Sequence, residues 1–177
     1  MIYLLLLIYD EYNIFGTLML MFKYLKKKIC PNKKPREIVL VYPFNTKTKE
    51  LFIIREYIYH YKKSYWKFVS GGIDKKGKDF ITHARDELAE EVAMDSNNFY
   101  HLYSAPKIFG NRGTHFYVAE NPLVMDHPPE NPDTDEIIDK KWINEDQFNQ
   151  MLDNKELLWD EGTMVASQVF RRYKMNS

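Results

Sequence analysis

"GGIDKKGKDFITHARDELAEEVAM", Gly71 to Met94, is the stretch that decides how this chain is read. The glycine pair stops a preceding strand, and a short polar loop then leads to Asp79, a residue suited to capping a helix. From about Phe80 to Ala93 the spacing predicts that helix, with Phe80, Ile81, Ala84, Leu88 and Val92 on its apolar side. Glu87, Glu90 and Glu91 share an adjoining arc of roughly 100°. Glu87 and Glu91 stand one turn apart, where like charges cost a bare helix about 0.2–0.5 kcal/mol. A divalent cation with hard oxygen ligands reverses that sign, Mg²⁺ being the prime candidate. "ELAEE" alone is common on solvated helices. The glycine pair just past a strand, and the loop back to the acids, favour a metal platform.

Working outward, "EIVLVYPFN" (Glu37 to Asn45) and "LFIIREYIYHY" (Leu51 to Tyr61) read as an antiparallel hairpin around a polar turn. "SYWKFVSGG" reads as one further strand ending at Gly71 and Gly72. After the acidic helix, "FYHLYSAPKIF" and "THFYVAE" predict two strands about the turn "GNRG". A proline-rich loop then leads to the strand "EIIDKKWI". Asn144 and Gln147 form a capping box for a helix through about Leu152, and Asp160 to Tyr173 predicts a last helix. This order of elements is that of a mixed α+β fold.

The 177 residues suit one domain with a sizeable core, and the 45% hydrophobic content is that of a globular chain. The formal net charge is zero, so no global field draws the protein to nucleic acid. Cys30 is the only cysteine, which rules out an intrachain disulfide and makes a reducing, cytoplasmic setting the expectation. Two apolar runs, "IYLLLLIY" and "IFGTLMLMF", flank Asp10 and Glu11. A span over residues 2–22 would place both acids at mid-membrane, which is costly, so buried strands or an upstream extension are favoured over an anchor. Lys23 to Arg36 holds seven basic residues broken by Pro31 and Pro35 and reads as a solvated linker. The expected division is therefore an extension and linker over 1–34 and a folded domain over 35–177.

The glycine-loop-helix stretch resembles the Nudix box: Gly, five residues, Glu, seven residues, then Arg-Glu-apolar-x-Glu-Glu-x-Gly-apolar. Anchored on Gly72, the chain matches at Glu87, Leu88, Glu90, Glu91 and Met94. It departs at Lys78 for the first glutamate, Asp86 for the arginine and Ala93 for the glycine. In this frame Asp86 adds negative charge where the family has an arginine, Arg85 lies about 100° away round the helix, and Asp79 is the nearest acid to replace the missing glutamate. The likeness extends over about Glu37 to Arg172 and implies a Nudix-type α/β/α sandwich with a mixed central sheet. ADP-ribose and nucleotide-sugar pyrophosphatases are its nearest flavour.

That resemblance implies Mg²⁺-assisted hydrolysis, with Mn²⁺ as the substitute, of a nucleoside diphosphate linked to another group. Glu87, Glu90 and Glu91 are the implied metal ligands. The general base is a box glutamate, Glu90 or Glu91, or an acid of a later loop, Glu136 before Asp135. Gly72, Arg55 and Arg112 are the expected substrate contacts, with Lys67 a further cation. Tyr65 and Trp66 are candidates for stacking on a base or for the core. The expected partner is a small nucleotide and not nucleic acid; a homodimer and a membrane contact through residues 2–28 stay open. The competing reading is a Nudix-fold module that binds a nucleotide without cleaving it, motivated by Lys78 and Asp86. An isopentenyl diphosphate isomerase is disfavoured, because its site cysteine has no counterpart after Cys30.

Overall fold

β1 (Arg36–Asn45) alternates Val39 and Val41 with Leu40, Tyr42 and Phe44, and all five side chains are buried. A strand apolar on both faces belongs at the centre of a layered structure. In the computed structural model, which describes residues 36–59, 61–73, 77–105, 112–130, 137–158 and 161–175, β1 takes that position. Residues 1–35, and with them the expected extension, linker and Cys30, lie outside the described residues. Arg36 to Ser177 form one compact unit. Among the described residues no helix is long and apolar enough to cross a membrane.

The expected hairpin forms between β1 and β2 (Glu50–Ile58), but the two strands pair only at Phe44 with Leu51 and Asn45 with Glu50 before diverging. The sequence predicts one strand through "SYWKFVSGG"; two form instead. β3 (Lys63–Lys67) continues along the free edge of β2, and β4 (Val69–Gly72) runs antiparallel to β1. Phe68 lies between them, 3% exposed, with its ring edge-on to Tyr42 at 4.8 Å. The gap between β1 and β2 is thus closed by a single chain that changes partners, which no local periodicity reports.

Helix α1 (Phe80–Val92) follows a loop after β4. β5 (Met94–Asp95) pairs with β8 (Leu123–Val124) in a small separate sheet that the sequence reading lacked. β6 (Asn98–Ala105) and β7 (Arg112–Glu120) are antiparallel, and β7 runs parallel to β1, making the main sheet mixed. β9 (Ile137–Ile143) completes the seven-stranded sheet against β2. Helix α2 (Glu145–Asp153) begins with the expected capping box of Asn144 and Gln147, and α3 (Glu161–Met175) ends the fold.

The two sheet faces bury separate cores. One joins Leu40, Tyr42, Phe44, Ile53 and Trp66 to Phe148, Met151, Val169 and Phe170 of α2 and α3. The other joins Val39, Val41, Ile54 and Tyr117 to Ala84, Leu88 and Val92 of α1. The result is the expected α/β/α sandwich with a mixed sheet. Glu37, His115, Ser104 and His101 form a hydrogen-bonded row across β1, β7 and β6. The Phe80 ring lies 4.0 Å from that of His115, seating the start of α1 against this row.

Candidate active site

α1 starts where expected: Asp79 caps it by accepting from the Thr82 amide at 2.9 Å. That cap holds the Asp79 carboxyl below the usual carboxylate range, so the side chain is committed to the helix start. The opposite end is less ordinary. Ala93 takes a left-handed conformation, φ 57° and ψ 40°, and its amide caps the carbonyls of Leu88 and Ala89. This is the conformation for which glycine is favoured at a helix end. The chain keeps the geometry with a residue that strains in it.

Between these ends α1 lies on β1, β4 and β7 and lays its acids along β4. A Cβ added to Gly71 would collide with the Glu87 carboxyl group, whereas one added to Gly72 would meet nothing within 4 Å. Gly71 is thus the glycine against which the Glu87 carboxyl packs, while the space beside Gly72, the expected substrate contact, is open. One turn on, the Glu91 carboxylate accepts from the Ser70 amide at 3.3 Å. Burial pushes the Glu91 carboxyl up to about 8; Lys67 opposes the rise, and Glu87 and Glu56 add to it. Lys67, near the end of β3, pairs with Glu56 of β2 at 2.5 Å, each side chain 15% exposed. From β9, Lys140 donates to the Glu91 carbonyl at 2.7 Å.

Lys78 and Asp86, two of the three departures from the box, pair with each other at 2.5 Å. Asp86 is therefore not the uncompensated charge that the sequence suggested. The box has Glu and Arg at these positions, so the two charges are exchanged in this chain, and here they pair. Arg85 is directed elsewhere, to Asp95 at 2.6 Å and over the Phe99 ring.

The family model of the NUDIX domain matches residues 34–163, most of the chain, and so covers this loop and helix. The chain belongs to the Nudix family. The match supports reading it as a Nudix pyrophosphohydrolase. No curated protein matches the sequence. Among solved structures it is similar to the crystal structure of an ADP compounds hydrolase, with TM-score 0.63, 20% identity, and coverage of 82% of this chain and 75% of the other. It is also similar to MutT, from a study of the enzymes of the fish pathogen Aliivibrio salmonicida and of Vibrio cholerae. There the TM-score is 0.57 and the identity 19%, with 77% of this chain and 98% of the other covered. At these identities the likeness is one of fold.

In this Nudix chain the expected site residues fall into different groups. Glu87 and Glu91 flank the Gly71–Ser70 backbone, with Glu90 partly buried on the same helix. Among the described residues no three His, Cys, Asp or Glu side chains already converge to hold an ion. Their chemistry nonetheless suits one: hard carboxylate oxygens, with Glu87 lodged in the space of an absent Cβ and Glu91 partly buried beside it. Arg55 is exposed on β2 opposite Trp66, on the face of the α2–α3 core, while Glu56 shares the other face with Lys67. Strand alternation thus turns Arg55 away from the acids. Arg112 opens β7 with its backbone in register with Arg36, its side chain outside the described set. Glu136 and Asp135 also lie outside the described residues. The sequence reading missed Glu56, Ser70 and Lys140, which only strand register brings to the acidic helix.

Proposed function

We propose that the protein hydrolyses the diphosphate bond of a nucleoside diphosphate linked to another group, of the ADP-ribose or nucleotide-sugar type, with Mg²⁺ held by Glu87, Glu90 and Glu91. The observation that carries this reading is the packing of the Glu87 carboxyl into the space above Gly71, beside Glu91 on Ser70. Mg²⁺, or Mn²⁺ in its place, would neutralise the diphosphate and make a bound water more acidic. The chain supplies the rest. Lys67 lies beside Glu91 and offers a positive charge toward the substrate's phosphates, partly balanced by Glu56. A box glutamate left off the metal, Glu90 or Glu91, or Glu136 of the later loop, takes the proton from the attacking water. Pairing of Lys78 with Asp86 removes the uncompensated charge that motivated the reading as a non-hydrolytic binding module.

The test is a panel of ADP-ribose, nucleoside diphosphate sugars, dinucleoside polyphosphates and oxidised nucleotides, assayed with Mg²⁺ and with EDTA. Mg²⁺-dependent cleavage of a diphosphate is expected. Glu90→Gln and Glu91→Gln should each lower turnover by roughly 10²-fold or more, the scale at which a positioned acid–base group contributes, with the fold retained. Parent-like rates in both variants would remove the mechanism; stabilisation by nucleotide without any product would favour the binding module.

A further inference from the structure

Phe80, Glu87 and Glu91 fall on one stripe of α1: steps of seven and eleven residues, at about 100° each, leave them within roughly 40° of one another. The stripe meets the sheet at three points. The Phe80 ring lies 4.0 Å, centre to centre, from that of His115 on β7; the Glu87 carboxyl fills the space beside Gly71 on β4; and Glu91 accepts from the Ser70 amide. His115, Val39 and Gly71 stand in one row, since Val39 of β1 is in register with both of the others. Two strand spacings, about 10 Å, separate His115 from Gly71. Seven residues of helix also rise about 10 Å. The first two turns of α1 therefore match the distance from β7 to β4, and a helix seated at Phe80 arrives with Glu87 over Gly71.

Core packing does not account for that seat. Phe80 is 39% exposed and lies outside both cores. Its platform, by contrast, is held from two sides. His115 is bonded at both ring nitrogens, to Glu37 at 3.1 Å and to Ser104 at 2.9 Å, and Ser104 is bonded in turn to His101 at 2.7 Å. Bonds at both nitrogens fix the plane of the ring. Glu37 acts twice: its carboxylate holds His115, and its carbonyl accepts from the Ile73 amide at 2.9 Å. Ile73 follows the glycine pair and Phe80 opens α1, so both ends of the intervening loop rest on Glu37, one directly and one through His115. We infer that Phe80, His115 and Glu37 are positioning residues for the acidic site. They set the rotation and advance of α1 so that Glu87 and Glu91 meet β4 together and present their oxygens to one divalent cation. The inference rests on the hydrolase reading above and adds to it the residues that aim the metal ligands.

Mg²⁺ titration of the full chain, read both as melting temperature and as rate of diphosphate cleavage, tests this. Phe80→Ala and His115→Ala should each raise the Mg²⁺ concentration for half-maximal effect by about 10–100-fold, the scale for residues that orient metal ligands. Glu37→Ala should shift that midpoint in the same direction, and Glu37→Gln, which keeps an acceptor for His115, by less. Phe80→Tyr, which keeps the ring, should respond as the parent does. Val169→Ala, a loss of packing in α3, should lower the melting temperature without moving the Mg²⁺ midpoint, which separates aim from stability. Phe80 is exposed enough for Phe80→Ala to fold even where His115→Ala does not. A parent-like midpoint in folded Phe80→Ala overturns the inference; if Glu91→Gln still abolishes the Mg²⁺ response and the cleavage, the hydrolase reading survives it. A Phe80-dependent midpoint in melting temperature, with no diphosphate cleaved by the parent, would instead sink the hydrolase reading and leave the positioning role standing. A parent in which neither readout responds to Mg²⁺ overturns both.

Discussion

Gly71 and Gly72 are chemically identical neighbours, yet only one has its missing side chain replaced by a carboxylate. Gly71→Ala must displace Glu87 or move β4, because the Cβ and the carboxyl group claim one volume. It should lower turnover far more than it shifts the urea midpoint, because the group that has to move is the far end of a flexible side chain. Gly72→Ala meets no neighbour and should leave stability unchanged. Glu91 supplies a pH signature. Its folded-state carboxyl is raised to about 8 from an ordinary 4.5, so the folded protein holds a proton that the unfolded chain releases. That stability is fully present below about pH 4.5 and is lost as pH rises through 8. In EDTA the parent's melting temperature should fall from pH 6 to 9 more than that of Glu91→Gln. An identical slope in the two proteins would show that Glu91 is not the titrating group.

At the scale of elements, α1 is held chiefly by burying Ala84, Leu88 and Val92, and an ion pair ties it to the loop before it. Lys78 in the loop grips Asp86 one turn before Glu90, with the side chains 42% and 25% exposed. A pair this exposed contributes at most about 1 kcal/mol to stability. Lys78→Glu would set two carboxylates face to face, and Asp86→Arg would set two cations face to face. Each should weaken Mg²⁺-dependent turnover. The double variant Lys78→Glu/Asp86→Arg restores an ion pair, with the charges placed as in the box, and should recover much of the loss. A double-mutant cycle in melting temperature and rate measures the coupling; additive losses would mean that the two residues act independently. The left-handed Ala93 shows the same pattern at the helix end, where main-chain geometry is kept while residue identity has changed.

On the scale of the whole molecule, the site depends on β1 and β2 parting and on one chain crossing between them. Phe68 marks the crossing: it separates Lys67 on the β2 side from Ser70 on the β1 side and packs into the α2–α3 core. Phe68→Ala should cost about 3–5 kcal/mol, as for other buried phenylalanines, read from the urea midpoint. Because Phe68 anchors the backbone that carries Lys67 and Ser70 to Glu91, turnover should fall further than in a variant of equal stability loss in α3, such as Val169→Ala. Equal activity in the two would detach the crossing from the site.

The acidic helix, its Asp79 cap, the Asn144 capping box and the mixed α+β class were all legible in the sequence, because each rests on periodicity or on contacts within a few residues. Hydrophobic spacing likewise marked β1 as a strand, though not that both its faces would be covered. The packing of Glu87 against Gly71, the split of one apolar run into β3 and β4, the turning of Arg55 to the far face and the Lys78–Asp86 pair were decided only in the tertiary structure. Each depends on which segment lies beside which, and pairing register across distant strands leaves no periodic trace in the chain. The sequence thus determined which acids stand together on one helix; the sheet determined what they face.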